Sequence, residues 1–487
     1  MAYPWLLSLS LAFLVLSHGC IAQFQRFSTQ CHLEKLSTLE PTRKVESQGG
    51  FTEYWDPTDD QFLCTGVAAF RYTIKPKGLL LPLYTNAPRL YYVIQGKFPN
   101  EWSTSIYTHF NGILETVIPG CPATFQEQSS RGDHHQKIHS TRHGDVIVVP
   151  AGSAHWIYNN GETDMVLFSI VDTANEDNQL DLKVRTFFLA GNPREEESNS
   201  SQKRWSRGMG SKLPWKDGSN VFSGLAVETV AESLGTGVEL ARKVQGIDDP
   251  RGSIIIAEEG IHVLSPVEEE EQQMQRERER RRRRREEKRG LWRGEGSING
   301  LEETVCTLRL VHQLAESADA DKYNPRAGHL TGLNTPNLPV LQYVQLGVDL
   351  GVLYKNAIMV PHSNLNCHAV IYGTNGSCRI QVVADNGKTA FDGEMREGQI
   401  LIVPQHYVVV KKAGSDGFEW IALKTSDNPM MNPFAGRLSL LRAMPEAVLM
   451  NSYRITREEA KDLKKREELT LLSPQLGTKP WEEINKS

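Results

Sequence analysis

The sequence is short of several features that mark common protein classes. Seven cysteines in 487 residues are too few for a disulfide scaffold, although they allow one or two crosslinks. The 54 Lys and Arg nearly balance the 59 Asp and Glu, and a net charge of -5 suggests no polyanion partner for the whole molecule. There is neither a G-x-S-x-G elbow nor a G-x4-G-K-[ST] phosphate loop. These absences argue against the hydrolase and nucleotide-binding classes that those motifs mark.

The N-terminus lacks charge and predicts a signal peptide over residues 1–22. The first 25 residues are uncharged, and the apolar run from Leu6 to Leu16 is too short to span a bilayer as a helix. The run ends at Cys20-Ile21-Ala22, where small residues suit signal peptidase, although the usual basic start is missing. A buried apolar helix is the alternative. Cleavage after Ala22 would remove Cys20 and leave six cysteines for an oxidising compartment, with no membrane segment in the mature chain.

The remaining chain alternates between strand-rich and helix-rich stretches. Runs of β-branched and aromatic residues between Gly, Pro and Asn predict strands, whereas longer stretches of good helix formers predict helices. Strands are predicted, for example, at Leu90–Gly96, Asp145–Val149 and Ile371–Val383, and helices at about Gly224–Val244 and Leu438–Glu468, with Thr456 as a cap. Strands precede helices in each half, so the order itself repeats.

An internal duplication organises this pattern. The segment GDVIVVP, Gly144–Pro150, matches GQILIVP, Gly398–Pro404, at every patterned position. Many short strands with Gly-rich turns favour a jelly roll, whose two packed sheets protect their edges. We therefore predict a mainly β fold with two jelly-roll β-barrels, each followed by a small helical extension. The expected divisions are residues 23–260, a linker at 261–299, and residues 300–487.

The linker between the two copies is too polar to fold alone. Glutamates at 268–271 precede Arg276, Arg278 and six consecutive arginines at 280–285, with little apolar surface to bury. We expect residues 267–293 to be disordered. The arginines could neutralise nucleic-acid phosphates, but glutamates bracket them and no aromatic residues are interleaved. A soluble, nitrogen-rich loop explains them better, and we expect no nucleic-acid partner.

One motif is specific enough to indicate a superfamily. The segment GDVIVVPAGSAHWIYN, Gly144–Asn159, fits the second cupin motif, G-x5-P-x-G-x2-H-x3-N. Cupins are double-sheet barrels, some of which hold Mn, Fe or Zn on inward histidines, so the resemblance implies a bicupin. In this frame His155 points into the first barrel, either as a metal ligand or as a hydrogen-bonded core residue.

Neither barrel offers a complete ligand set, since a catalytic metal generally needs three converging protein ligands. The stretch that should supply His-x-His and Glu in the first barrel, Gly78–Gly96, offers Tyr84, Asn86 and Arg89 instead. We therefore interpret His155 as a core residue. The second barrel keeps His362 but has His406 and Val409 where the motif's Gly and ligand His belong. We expect no metal, cofactor or catalytic residue.

A histidine cluster lies outside these motifs. It comprises His134, His135, His139 and His143, in a polar stretch. The cluster could take up a metal adventitiously. A solvated loop is the simpler interpretation.

A second resemblance begins at SINGLEETVCTLRL, Ser297–Leu310. This segment resembles the processing junction of legumin-type (11S) globulins, N-G-[LI]-E-E-T-x-C, and IPGCPATFQ (118–126) and KNAIMVPHSNLN (355–366) extend the similarity. The resemblance implies a seed storage protein rather than an enzyme. It also implies cleavage between Asn299 and Gly300 by an asparaginyl endopeptidase, and delivery through the secretory pathway to the protein storage vacuole.

The resemblance also assigns cysteines and assembly. Cys31 and Cys64 match the family's bridge within the first chain, and Cys121 and Cys306 match the bridge between the two cleaved chains. Family members form trimers as precursors and hexamers after cleavage. An apolar stripe in the first helical segment would meet a neighbouring subunit or its own barrel; its members are Leu225, Val227, Val230 and Leu234.

Cys367 and Cys378 remain. Asn375-Gly376 is a strong hairpin signal, and a two-residue turn there would set the two cysteines roughly 18 to 20 Å apart along the ladder. A disulfide tolerates a Cα separation of about 7 Å at most, so we predict two unbridged, buried thiols. Asn375 is also one of three glycosylation sequons, with Asn199 and Asn485.

The alternative from another class is a secreted bicupin metalloenzyme of the oxalate oxidase or decarboxylase type. It shares the fold and differs in requiring a metal bound in a barrel. Metal content after dialysis discriminates between the two.

Overall fold

The computed structural model describes 31, 33–94, 112–118, 121, 124–126, 133–136, 138–193, 220–261, 308–315, 320–465 and 470–474. Four predicted features lie outside these residues: the signal peptide, the Arg-rich linker, the Asn299-Gly300 bond with Cys306, and the sequons at Asn199 and Asn485. None of the helices in the described ranges combines the length and the hydropathy that a membrane-spanning helix needs.

Strands dominate both halves. The first half contains β1 (Arg43–Ser47), β2 (Gly50–Tyr54), β3 (Val67–Ile74), β4 (Gly78–Thr85), β5 (Arg89–Ile94), β6 (Gly112–Val117), β7 (Thr124–Gln126), β8 (Asp133–His135), β9 (Ile138–Thr141), β10 (Asp145–Val149), β11 (Ala154–Asn159), β12 (Met165–Asp172), β13 (Thr186–Phe188) and β14 (Ile254–Ile256). The second contains β15 (Val311–Gln313), β16 (Lys322–Asn324), β17 (Gly328–Leu333), β18 (Gly347–Leu353), β19 (Ile358–Asn364), β20 (Ala369–Val383), β21 (Thr389–Arg396), β22 (Ile400–Val403), β23 (Val408–Lys424), β24 (Met431–Pro433) and β25 (Leu472–Ser473).

The helices are short, and most follow a set of strands. They are α1 (Asp60–Thr65), α2 (Val227–Leu234), α3 (Val238–Gln245), α4 (Leu341–Val344), α5 (Leu440–Ala443), α6 (Glu446–Tyr453) and α7 (Arg457–Lys465). The exceptions are α1 and α4, which lie between strands. The continuous helix predicted over 224–244 is two helices, because Gly235 ends α2 in the left-handed conformation with φ 62°. Thr456 caps α7 as predicted: the Glu459 amide donates to its hydroxyl at 3.3 Å.

Two sheets form the first barrel. One has the order β1-β2-β3-β12-β5-β10-β15, and the other has β13-β4-β11-β6-β9 with β14 beside β4. Alternate residues of both sheets face inward and are completely buried, Leu83 and Ile157 from one and Ile147 and Leu167 from the other. This two-layer packing confirms the predicted jelly roll.

In the second barrel, two long strands curve through both layers. β23 pairs with β18, β19 and β20, and β20 also pairs with β21 and β22. The hairpin predicted at Asn375-Gly376 is wrong, since β20 continues through this dipeptide without ending, with Asn375 opposite Glu419 and Gly376 opposite Phe418. The register shifts on both sides of this pair, and Gly376 has φ 74°. Here Asn-Gly makes a bulge that bends a continuous strand rather than a turn that ends it.

The duplication appears in the backbone as well as in the sequence. Gly144 and Gly398, which open the two matching segments, both have φ 83°, a left-handed conformation that favours glycine. Each precedes a fully buried strand, β10 in the first barrel and β22 in the second. The shared sequence pattern therefore produces the same local structure twice.

The two halves exchange short segments along their sheets. β15 comes from the second half of the sequence and pairs with β10 of the first barrel. In return, Leu39 from near the N-terminus forms a bridge with Ile400 at the start of β22. Between the barrels, the rings of Phe168 and Tyr372 stack with centroids 4.1 Å apart. The predicted division of the chain between 260 and 300 stays a prediction, because 262–307 lie outside the described residues.

Candidate functional site

The interior of the first barrel contains a histidine that is hydrogen-bonded to a neighbouring side chain. His155 lies on β11 and is completely buried. Its Nε2 is 2.7 Å from the Tyr91 hydroxyl oxygen. Arg89 donates to that hydroxyl at 2.9 Å, so the phenolic proton is directed to Nε2. His155 is therefore a hydrogen-bonded core residue, as interpreted from the sequence.

A permanent positive charge occupies the same interior. The Arg89 guanidinium, on β5, is completely buried and also donates to the Tyr72 hydroxyl at 2.8 Å. Burial and the nearby guanidinium lower the pKa of His155 to about 3, which keeps the ring neutral at physiological pH. A cation beside Nε2 repels a metal ion, and Tyr84 and Asn86 do not join this network. They point elsewhere: the Tyr84 ring stacks on Phe187, and Asn86 donates to Asn178.

The interior of the second barrel contains a histidine and two lysines. His362, on β19, is buried and its Nδ1 lies 2.8 Å from the Val360 carbonyl oxygen. Directly across the ladder is Val409, at the position where the motif's ligand histidine belongs. Lys411 and Lys424 enter the same interior from β23, and both are only 4% exposed. Burial, followed by the charge of Lys411, lowers the pKa of His362 well below its usual value.

Sequence reasoning missed these two lysines. Val409, Lys411 and Ala413 are all buried, so they follow the two-residue period of the inward face of β23. The inward face of β23 could have been predicted from the cupin motif, because Val409 occupies the position of the ligand histidine, whose side chain points into the barrel. Lys412, between them, is exposed.

The cysteines and the histidine cluster complete the candidate residues. Cys31 and Cys64 are joined in a disulfide, and Cys121 is disulfide-bonded. Cys367 and Cys378 are both buried thiols, as predicted, although the hairpin geometry that led to the prediction is wrong.

The solvated-loop interpretation of the histidine cluster is wrong for His139. Its strand, β9, pairs with β6 in the barrel sheet, and the side chain is buried. His134 and His135 belong to β8, and their side chains lie outside the described residues. His143 is half-buried, and burial lowers its pKa.

Only one group of three close metal-binding side chains occurs in the described part of the chain. It comprises Cys31, Cys64 and His368, whose ligand atoms lie within 4.8 Å of one another. Two of the three are the sulfurs of the disulfide. A disulfide lacks the thiolates that bind metals, so this group is not a metal centre while the bridge is intact.

Known proteins are similar to this chain in sequence and in fold. The Cupin family model matches residues 36–196 and 312–461. The 11S globulin seed storage protein Ana o 2.0101 of Anacardium occidentale is 42% identical over 476 residues, covering 96% of this chain and 97% of the relative. The crystal structure of pumpkin seed globulin superposes with a TM-score of 0.75 at 40% identity, covering 92% of this chain and 100% of that one. The coconut allergen cocosin gives 0.74 at 39% identity, with 91% and 100% covered. The chain therefore belongs to the legumin-type 11S globulins, the seed storage proteins of the cupin superfamily.

Proposed function

We propose that this protein is a nutrient reservoir of the seed and has no catalytic activity. The observation that carries the proposal is the occupation of both barrel interiors by the chain's own cations. Arg89 lies beside His155 in the first barrel, and Lys411 and Lys424 lie near His362 in the second. Neither interior assembles three metal-binding side chains from the described residues. The storage role named for the relatives supports the same conclusion.

The proposed maturation is one cut and one bridge. Asparaginyl endopeptidase would cleave Asn299-Gly300, and Cys121–Cys306 would hold the two products together. The cysteine inventory supports this bridge: Cys121 is disulfide-bonded, Cys31 and Cys64 bond each other, and Cys367 and Cys378 are thiols. Cys306 and Cys20 are left as partners, and Cys20 belongs to the segment that signal peptidase would remove.

We infer self-assembly from the helical extensions. α2 and α3 leave Leu234 and Leu240 exposed, and Val448 on α6 is exposed in the second extension. Val230, from the same stripe, is instead buried against its own subunit. Exposed apolar patches on both extensions favour contacts between neighbouring subunits, as a precursor trimer and then as a hexamer.

The protein's destination follows from the same role. A signal peptide and disulfides suit the secretory pathway, with the protein storage vacuole of the seed as the endpoint. The cleavage protease and the deposition of an insoluble store would both be located there.

One gel experiment tests the processing. Protein isolated from seed should run as one band of about 50 kDa without reductant and as bands of about 31 and 21 kDa with it. Recombinant Asn299→Gln treated with an asparaginyl endopeptidase should stay intact. After the same protease treatment, the two products of Cys306→Ser should separate in denaturing gels even without reductant. An unsplit wild-type band after protease treatment would contradict the proposed cut.

Metal analysis tests the absence of catalysis. After dialysis, we expect far less than one Mn or Fe per chain. A stoichiometric metal would favour the oxalate oxidase or decarboxylase alternative instead.

A further inference from the structure

The interior of the second barrel contains more positive than negative charge. Lys424 has two partners there: its Nζ donates to the Asn364 side-chain oxygen at 2.8 Å and lies 3.2 Å from an Asp349 carboxylate oxygen. Asp349 therefore serves as the counterion of Lys424. The second ammonium, that of Lys411, needs another partner.

Lys411 has no ion-pair partner among the described residues. Its Nζ lies 3.7 Å from the Met359 sulfur and 4.9 Å from the centroid of the Trp420 ring. These contacts are weak compared with a carboxylate, and they do not offset the loss of hydration of a buried ammonium. Burial, and then the charge of Lys424, lower the pKa of Lys411 to about 7. Below about pH 7, where Lys411 is protonated, the site therefore lacks one negative charge.

A small cavity adjoins this uncompensated ammonium. Its volume is about 10 Å³, close to what one water-sized body needs. Polar and charged side chains make up part of its wall, and these are Asp349, His362, Asn364, Lys411 and Lys424. A cavity of this size has room for about one water-sized body, so a chloride ion, which is slightly larger than water, would fill it completely.

We infer that the interior of the second barrel binds a small monovalent anion of chloride size, held chiefly by Lys411. The anion would supply the missing counter-charge beside the ammonium and fill the one-atom space. Lys424 would add longer-range attraction, while Asp349 would limit the site to a single negative charge.

The pH dependence follows from the groups that face Lys411. They are Lys424 on its own strand, Asp349 on β18, His362 on β19 and Cys378 on β20. The His362 ring is neutral at pH 7 because its pKa is lowered, and the Cys378 thiol is neutral because burial raises its pKa to about 12. Lys322, on β16, acts on His362 from outside the cavity. Lys411 is thus the group that titrates, and anion binding should weaken as pH rises above about 7.

Anomalous diffraction after a bromide soak provides a direct test. At pH 6 we expect one peak beside Lys411 Nζ in the wild type, and its loss in Lys411→Met. Lys412→Met is the matched control, since that lysine is exposed on the opposite face of the same strand, and it should keep the peak. Absence of the wild-type peak in fully soaked crystals would overturn the proposal.

Thermal unfolding supplies an independent test in solution. At equal ionic strength, replacing gluconate by chloride should raise the wild-type midpoint by about 2 °C or more at pH 6, and by less at pH 9. Lys411→Met should fold, since its side chain would lie against Met359 and Trp420, and should lose the chloride effect. An equal chloride effect in Lys411→Met and wild type would refute the site.

Discussion

Acid sensitivity should reveal the neutral histidine inside the first barrel. His155 has a pKa of about 3 in the folded chain and 6.5 as its ordinary value. Because the folded pKa is lower, the unfolded state binds more protons between these two values, and the free energy of unfolding falls as pH falls. The contribution of the neutral His155 to the free energy of unfolding is fully present above pH 6.5 and is completely lost below about pH 3.

The size of the effect follows from the width of that interval. Each pKa unit corresponds to about 1.4 kcal/mol, so lowering the pH from 7 to 5 should cost about 2 kcal/mol through this one side chain. The variant His155→Gln removes the titrating ring and keeps an acceptor for the Tyr91 hydroxyl. Its free energy of unfolding should therefore decline less between pH 7 and 5, by about that amount.

Urea unfolding at pH 7, 6 and 5, at equal protomer concentration, measures the difference. His362 titrates abnormally in both proteins, so the comparison between wild type and variant isolates His155. His406→Gln, at an exposed histidine, is the matched control for the exchange of a histidine for glutamine. Parallel declines in wild type and His155→Gln would refute the argument.

Three further changes should each alter stability in a defined way, as urea unfolding can measure. Replacing both Cys31 and Cys64 by alanine opens a crosslink across 33 residues and should cost about 3 to 4 kcal/mol, and a loss below about 1 kcal/mol would contradict the chain-entropy estimate. Gly376→Ala forces a side chain into φ 74° and against the backbone oxygen of Gly417, so a cost above about 2 kcal/mol is expected, and an unchanged midpoint would speak against the bulge. Tyr372→Phe removes an acceptor 3.1 Å from Arg71 and should cost about 1 kcal/mol, whereas no loss would mean that water replaces the contact.

The fold was largely predictable, because its strongest signals are local and repeated. The segment at Asp145–Val149 is a strand with the predicted bounds. Its copy in the second barrel, Ile400–Val403, is also a fully buried strand. The error at Asn375-Gly376 has a physical origin. A glycine with positive φ can serve a turn or a bulge, and the choice depends on whether partner strands continue on both sides. Here β23 does continue, and no local pattern reveals it.

The barrel interiors were predictable only in part. The loss of metal ligands was visible in the motif positions, with Arg89 and Val409 in their places. The interactions that replace those ligands could not be predicted, because the hydrogen-bond network of Arg89, Tyr91 and His155 joins β5 and β11, which are distant in sequence. The alternation of side chains along β23 placed Lys411 on the same inward face as Val409. A lysine on a strand, however, is usually exposed to solvent. Its burial depends on the closure of the whole barrel.

The exchanged segments have a consequence for what each half can do alone. Without β15 the hydrogen-bonding edge of β10 would be open, and without Leu39 the start of β22 would lose its bridging partner. An open edge is a template on which other chains can add strands, which leads to aggregation. Each half thus caps an edge of the other, and we expect either half expressed alone to form insoluble β-rich deposits. Coexpression of both halves should restore soluble protein.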